Sequence, residues 1–188
     1  GSRRCKKLLK NRERRGIINT APQPGNGEAL RRFCSNFLIN EEHYMPEIIL
    51  RPAAESDAAE MLALYAPYVI QTTVSSEYEP PSLDEFLRRM RDYTARLPWL
   101  TCTVDGEITG YGYASPHRTR AAYQWSVETS IYVAPEWHRH GIAGAIYTAL
   151  FELLAMQGYY NIYVGITSPN ERSMMFHKAM GFIISGAY

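Results

Sequence analysis

The stretch SVETSIYVAPEWHRHGIAGAIYTALFELLAMQG, residues 126–158, decides the fold class of this 188-residue chain. Its opening SVETSIYV alternates with the two-residue period of a β-strand, and the proline that follows marks the end of that strand. Its second half repeats apolar residues at the three- and four-residue spacing of a helix that packs on a sheet. The stretch therefore predicts a strand that leads through a basic loop into a buried helix.

The basic loop has the composition of an anion-binding site. A helix N-terminus presents unpaired N–H groups and the positive end of the helix dipole, and both favour phosphate. Gly141 and Gly144 let backbone amides approach a ligand closely, and Arg139 and His140 add positive charge. The sequence has neither a P-loop ending in Gly-Lys-Ser/Thr nor a dinucleotide fingerprint. Simple helix entry explains the same residues, so the loop alone leaves both interpretations open.

One residue of the predicted strand is out of place. Period-two alternation puts Glu128 on one face with Ser126, Ser130 and Tyr132. Because strands disfavour a carboxylate in their middle, Glu128 requires an ion pair, an exposed face or a role as a base. The strand pattern does not choose among these three.

The residues before the quoted stretch begin with a strand and two helices. Residues 47–52 form a short apolar run that ends in proline. Ser56 is the predicted N-cap of a helix over residues 57–69. Ser82 and Glu85 have the spacing of a capping box and predict the start of a second helix.

The rest of the body adds a hairpin and a second strand–helix pair. Residues 99–116 read as two strands joined by an Asp105-Gly106 turn. After the quoted stretch come a strand (159–167), a helix (169–180) and the start of a last strand (181–188). The order β-α-α-β-β-β-α-β-α-β predicts an α/β (α+β) fold with a mixed, mostly antiparallel central sheet flanked by helices.

Composition places the chain among globular proteins. Hydrophobic residues make up 46% and charged residues 21%, and no uncharged apolar run reaches the roughly 18 residues of a membrane span. Cys5, Cys34 and Cys102 lie far apart, which predicts neither a metal site nor a disulfide framework. They favour a reducing compartment, so we expect a cytoplasmic protein.

Charge divides the chain into two segments. Residues 1–45 hold ten Lys/Arg and four Asp/Glu, a balance of +6, whereas residues 46–188 hold ten and fifteen, a balance of −5. We expect residues 1–45 to be a basic, disordered leader or tag that includes a Gly-Ser cloning scar, and residues 46–188 to be the folded domain. The alternative is that residues 3–15 bind nucleic acid through their cations.

The loop and several spaced motifs resemble the GNAT superfamily of acetyl-CoA-dependent N-acetyltransferases. The Arg/Gln-x-x-Gly-x-Gly/Ala loop of that superfamily corresponds here to HRHGIA, which begins at His138. The motifs TTVSSEYEPPSLDEF, YASPHRTRAAYQWSVETSIYVAPEWHR, YTALFELL, GITSPNERS and FHKAMGF resemble the phosphinothricin (methionine sulfoximine) acetyltransferase family within it. The similarity extends over residues 47–182.

This resemblance implies an activity and a set of site residues. It implies acetyl-CoA as the acetyl donor, no metal, and a small amino-acid-like amine as acceptor, such as phosphinothricin, methionine sulfoximine or methionine sulfone. Glu128 is then the general base, and His177 is the candidate acid at a position where many such enzymes have tyrosine. A backbone N–H near Tyr132 or Val133, freed by a local β-bulge, is expected to donate to the oxyanion.

The resemblance also implies which residues contact the two substrates. Arg120 is the candidate partner of an acceptor carboxylate, with a solvated loop arginine as the alternative, and Trp125 is a candidate for the acceptor pocket unless it is a core aromatic. Acetyl-CoA is expected to contact Ile131, Tyr132, Val133, Arg139, His140, Gly141, Ile142, Ala143, Gly144 and Asn170.

The chain departs from this family at its end. Family members continue beyond the Gly-Phe pair and complete a last pair of strands, whereas only IISGAY follows Phe182 here. We therefore expect a missing or truncated final strand, with an open sheet edge and an incomplete acceptor wall. One alternative is a CoA-binding module that is catalytically weak or inactive. Another is strand exchange with a partner, and the resemblance suggests a homodimer.

Overall fold

The computed structural model describes residues 46–187. Residues 1–45 lie outside this range, so the leader and its nucleic-acid alternative stay predictions. The strands are β1 (Ile48–Pro52), β2 (Trp99–Val104), β3 (Glu107–Pro116), β4 (Ser126–Val133) and β5 (Asn161–Tyr163). The α-helices are α1 (Ala58–Gln71), α2 (Leu83–Thr94), α3 (Ile142–Met156) and α4 (Glu171–Ala179), with 3₁₀ turns at Glu55–Asp57, Ala121–Tyr123 and Pro135–Trp137.

The five strands form one sheet in the order β1-β2-β3-β4-β5. Neighbours from β1 to β4 are antiparallel, and β4 is parallel to β5. The β2–β3 hairpin turns at Asp105 and Gly106, both of which have positive φ, as the favoured two-residue hairpin turn requires. The predicted mixed, mostly antiparallel sheet and its hairpin are therefore present.

β4 and β5 pair at their beginnings and then separate. Ser126, Val127 and Glu128 face Asn161, Ile162 and Tyr163 in register. Residues 129–133 continue to pair with β3 and, within the described range, have no partner strand on their other side. The parting of these strands leaves a wedge-shaped opening in the sheet.

The bulge predicted near Tyr132 is wrong, because β3 and β4 pair without a register shift. The sheet's irregularity lies instead between Cys102 and Thr103 of β2. The parallel pairing of β4 with β5 ends after three residues, which frees the edge of β4. No bulge is needed to free a backbone N–H there.

Helices cover both faces of the sheet. α3 and α4 pack on the face that includes Leu100, Cys102 and Val127, and α1 and α2 pack on the face that includes Trp99 and Tyr111. This alternation along β2 follows from the two-residue period of a strand. The apolar stripe predicted for α3 is confirmed by its burial against the sheet.

Glycines in β3 let α3 approach the sheet closely. A Cβ atom on Gly112 would lie 2.8 Å from Cγ2 of Ile146 and 3.2 Å from the carbonyl oxygen of Ser130. On Gly110 it would lie 3.1 Å from Cγ2 of Ile142. These two positions therefore set how near the first turns of α3 lie to β3 and β4.

Of the two predicted helix caps, Ser82 is confirmed and Ser56 is wrong. Ser56 lies inside a 3₁₀ turn, and the Asp57 carboxylate accepts the N–H of Ala54 at 2.8 Å instead. Ser82 caps α2, because its hydroxyl accepts the N–H of Glu85 at 3.2 Å. The Glu85 carboxylate pairs with arginines of α2 and does not complete the capping box.

The chain after α4 makes little regular structure. Ile183 is an isolated bridge residue, and the predicted last strand does not form within the described residues. The predicted strand over residues 159–167 shortens to β5. None of the helices described is long and apolar enough to cross a membrane.

Candidate active site

A cleft of about 1830 Å³ opens where β4 and β5 separate. Its walls come from α1, β4, the loop before α3, α3 itself and the start of α4. Sites for one small molecule usually measure about 300–1000 Å³. This cleft therefore has room for an elongated ligand together with a second, smaller molecule.

The loop before α3 borders the cleft with free backbone donors. Gly141, the N-cap of α3, has φ 87°, and Arg139 has φ 68°, so the chain passes through the left-handed region twice. The first backbone bond of the helix joins the N–H of Ala145 to the Gly141 carbonyl at 3.0 Å. The N–H groups of residues 142–144 have no acceptor in the part of the chain described. They are therefore available to an anion, as the sequence predicted.

The two loop histidines turn inward. Nδ1 of His140 lies 3.0 Å from the His138 carbonyl, and Nε2 of His138 lies 2.9 Å from the Val133 carbonyl. Burial, and then the charge of Arg172, lower the pKa of His138, so it is neutral at neutral pH. The cleft's positive charge at this end therefore comes from Arg139 and from Arg172, which sequence analysis missed.

Glu128 lies at the point where β4 leaves β5. Its side chain lines the cleft and is 46% exposed. Oε1 lies 2.6 Å from Nδ1 of His117, which directly follows β3. The His117 ring stacks on Tyr163 with centroids 4.2 Å apart. Of the three reasons predicted for this carboxylate, an exposed face is therefore present, and a hydrogen bond to His117 accompanies it.

His177 is buried and bonded through both ring nitrogens. Nδ1 lies 2.8 Å from the Ser173 carbonyl, so Nδ1–H donates to that oxygen and Nε2 accepts from the Tyr147 hydroxyl at 3.1 Å. Burial lowers the pKa of His177, and the bond to Ser173 offsets this only in part. Burial also raises the pKa of Tyr147 well above its ordinary value. The predicted acid is therefore a neutral imidazole that is hydrogen-bonded to Tyr147, a residue that sequence analysis missed.

Comparison with known proteins identifies this architecture. Residues 50–188 match the family described as acetyltransferase (GNAT) domain. The chain belongs to the GNAT acetyltransferase family. The fold class and the family inferred from the sequence are thereby confirmed, and the protein is an acetyl-CoA-dependent N-acetyltransferase.

Individual relatives and a solved structure agree with this assignment. A phosphinothricin N-acetyltransferase of Streptomyces coelicolor is 37% identical over 76% of this chain and 85% of its own. An L-methionine sulfoximine/L-methionine sulfone acetyltransferase of Pseudomonas paraeruginosa is 30% identical over 73% of this chain and 81% of its own. The crystal structure of a GNAT phosphinothricin acetyltransferase from Sinorhizobium meliloti with AcCoA has a TM-score of 0.71 and 30% identity, covering 74% of this chain and 76% of that one.

Most of the site residues predicted from the sequence line this one cleft, and His140 is not among the described residues that do. The cleft lining includes Glu128, His177, Asn170, Ile131, Tyr132, Val133, Arg139, Gly141, Ile142, Ala143 and Gly144. Asn170 is the N-cap of α4, and its Oδ1 accepts the N–H of Ser173 at 3.1 Å. Its side-chain amide nitrogen has no acceptor among residues 46–187.

Two predicted acceptor residues lie elsewhere. Arg120 and Trp125 occupy the exposed segment before β4, and neither is among the described residues that line the cleft. Trp125 is 51% exposed and meets Tyr160 edge-to-face at 6.3 Å. Their roles in this GNAT protein stay predictions.

A polar cluster that the sequence did not reveal borders the other end of the cleft. The Tyr65 hydroxyl donates to Oε2 of Glu77 at 2.7 Å, and Arg89 pairs with Oε1 of Glu77 at 2.7 Å. Burial raises the pKa of Tyr65 to about 12, so its hydroxyl keeps its proton. Arg89 also pairs with Glu85 of its own helix, so this end carries a fixed, nearly balanced set of charges.

Proposed function

We propose that this enzyme transfers the acetyl group of acetyl-CoA to the amino group of a small amino-acid-like acceptor of the phosphinothricin or methionine sulfoximine/sulfone type. One observation carries the proposal: Glu128 and the unpaired amides of residues 142–144 line the same cleft. The names of the relatives support the acceptor class.

The residues of the cleft fit acetyl-CoA. The N–H groups of residues 142–144, with Arg139 and Arg172, suit its diphosphate, because helix N-termini and guanidinium groups both bind phosphate. The backbone edge of residues 129–132, which has no partner strand among the described residues, suits the amides of its pantetheine arm. The Val133 carbonyl is already taken by the Tyr68 hydroxyl and His138. When bound, acetyl-CoA supplies an activated thioester.

Glu128 is the proposed general base. An amino group is protonated at neutral pH and cannot attack a carbonyl until it loses a proton. A carboxylate on the cleft wall can accept that proton, either directly or through one water, and such a base typically contributes about 10²–10⁴-fold to the rate. The proton then passes from Glu128 to solvent when the product leaves.

Tyr147 and His177 are proposed to lie beside the sulfur of CoA as it leaves the acetyl group. Because burial raises the pKa of Tyr147 well above 10, it is a weaker acid than a free thiol of pKa about 8.5. Full proton transfer from the tyrosine to the thiolate is therefore uphill. In this structure the single hydroxyl proton is donated to Nε2 of His177. When the thiolate forms, the hydroxyl turns to the sulfur, and a hydrogen bond to the sulfur stabilises its negative charge.

Two properties expected from the sequence stay proposals. A cytoplasmic location is consistent with the buried, unpaired thiol of Cys102. A homodimer would explain why Ile183 and Ile184, beyond α4, are 65% and 70% exposed.

A free-thiol assay tests the proposed function. The full chain is given acetyl-CoA with phosphinothricin, methionine sulfoximine, methionine sulfone, ordinary amino acids or polyamines. We expect thiol release with one of the first three and a loss of about 10²–10⁴-fold in kcat for Glu128→Gln. Glu152→Gln, on the exposed side of α3, is the matched control and should keep full activity.

Two outcomes contradict parts of this proposal. Full turnover by Glu128→Gln excludes the carboxylate as the base. If calorimetry shows CoA binding and the thiol assay shows no release of CoA with any acceptor, the alternative holds, namely a CoA-binding module without activity.

A further inference from the structure

His117 is the closest ionisable neighbour of the proposed base. Nδ1 lies 2.6 Å from Oε1 of Glu128, a distance typical of a hydrogen bond strengthened by charge. The pair is brought together by sheet register, because Ser115 in β3 faces Glu128 in β4 and His117 follows two residues later. No feature of the proposed function uses this histidine.

The surroundings of His117 hold its ring in one orientation. The ring stacks on Tyr163 at 4.2 Å with an interplanar angle of 25°, and Tyr123 meets it edge-on at 5.7 Å. The side chain is 7% exposed. Tyr123 is in turn covered by Arg118, whose guanidinium carbon lies 5.3 Å from the ring centroid. A buried ring that contacts two other aromatic rings is a rigid support for the group to which it is hydrogen-bonded.

His117 stands behind Glu128 as seen from the cleft. Glu128 lines the cleft, whereas His117 is absent from the lining formed by the described residues. The histidine therefore touches Glu128 and neither substrate. Nε2 on the far side of the ring has no protein partner in residues 46–187 and is not sealed from solvent.

We infer that His117 is a positioning residue for Glu128. Nδ1–H donates to Oε1, fixes the rotamer of a side chain that is otherwise half-exposed, and leaves Oε2 to accept the proton of the acceptor amine. Without the histidine the carboxylate samples several rotamers in water, and only a fraction of them reaches the amine. This inference rests on the proposed function of Glu128 as the base.

A merely structural role for His117 predicts a different pattern of effects. If the ring served packing alone, an aromatic replacement would preserve activity, and any loss would appear in stability. If it acts through Glu128, the loss appears in kcat, leaves the KM for acetyl-CoA unchanged, and disappears when Glu128 is already neutralised.

The test is a double-mutant cycle of His117→Phe and Glu128→Gln, with His117→Asn as the conservative variant. His117→Phe keeps the stack on Tyr163 and loses the hydrogen bond, so we expect kcat to fall about tenfold. His117→Asn places an amide N–H near the position of Nδ1 and should recover most of that loss. The double variant should be no slower than Glu128→Gln alone. Thermal unfolding checks that each variant is folded.

The possible results distinguish the role of His117 from the role of Glu128 as the base. Losses that multiply in the double variant, or unchanged turnover in a folded His117→Phe, overturn the role of His117 while leaving Glu128 as the base. Full turnover by Glu128→Gln overturns the base itself. A loss in His117→Asn equal to that in His117→Phe also overturns positioning through this hydrogen bond.

Discussion

The Tyr147 hydroxyl lies 3.1 Å from Nε2 of His177, and both side chains are buried. This bond joins α3 to α4 across the cleft wall. Thr129 of β4 contacts the same hydroxyl at 3.4 Å. Side chains of β4, α3 and α4 thus meet at one oxygen atom, and we propose that this hydroxyl stabilises the departing sulfur.

Removing the side chain of Tyr147 or that of His177 should lower kcat by nearly the same factor. In Tyr147→Phe the hydroxyl is gone, and in His177→Leu the hydroxyl loses the acceptor that holds it in place. We expect each variant to lower kcat about tenfold, the value of one hydrogen bond of about 1.4 kcal/mol, with little change in the KM for acetyl-CoA. Steady-state thiol release measures both constants. A double variant whose loss is the product of the two single losses contradicts a shared role.

The lowered pKa of His177 predicts that acid destabilises the fold. Burial lowers the pKa below the ordinary value of 6.5, so the unfolded chain binds a proton at this residue before the folded chain does. Stability is therefore complete above pH 6.5 and decreases as the pH falls below it, by at most about 1.4 kcal/mol per pH unit for one group. Denaturant unfolding between pH 7.5 and 5 measures this slope.

The variant His177→Gln isolates that contribution. Gln does not titrate, so its slope should be smaller than that of the wild type whatever its stability at pH 7. His138 has its pKa shifted in the same direction, so a residual slope is expected and should decrease further in His138→Gln. Identical slopes for wild type and His177→Gln would show that the folded protein takes up the proton at His177 as easily as the unfolded chain.

Local sequence patterns predicted the frame of the site. The strand, loop and helix of residues 126–158 depend on periodicity and on glycine, which are local properties. The position of Glu128 was evident because a carboxylate in a strand contradicts propensity. The Asp105-Gly106 turn was predicted for the same kind of reason, since its backbone conformation favours those residue types.

The partners of these residues depend on tertiary structure and were missed. His117 reaches Glu128 only because β3 and β4 pair in one particular register. Tyr147 and His177 lie on different helices, 30 residues apart in sequence. The bulge was wrongly predicted because the point at which β5 leaves β4 is a property of the pairing between two strands that are distant in sequence, and no periodicity records it.

The contact between α3 and β3 should be sensitive to one added methyl group. In Gly112→Ala the new Cβ would lie 2.8 Å from Ile146, so the helix or the strand must move. Overpacking of this kind costs about 1–3 kcal/mol, and we expect that decrease in the free energy of unfolding. Gly165→Ala is the control, because its Cβ would meet nothing within 4 Å. Equal stabilities of the two variants would mean that α3 is not tightly seated on β3.

The loop glycine allows a direct test of anion binding by backbone amides. Gly141 and Gly106 both have φ 87°, but Gly141 begins α3 at the cleft and Gly106 lies in the β2–β3 turn. Replacement of either by alanine strains a left-handed residue by about 1–2 kcal/mol, so both variants should lose similar stability. Only Gly141→Ala also moves the amides of residues 142–144. We expect calorimetry to show about tenfold weaker CoA binding, equivalent to one hydrogen bond to a charged group, and unchanged affinity in Gly106→Ala. If the two variants bind CoA equally well, the diphosphate is held by the side chains of the cleft instead of its backbone.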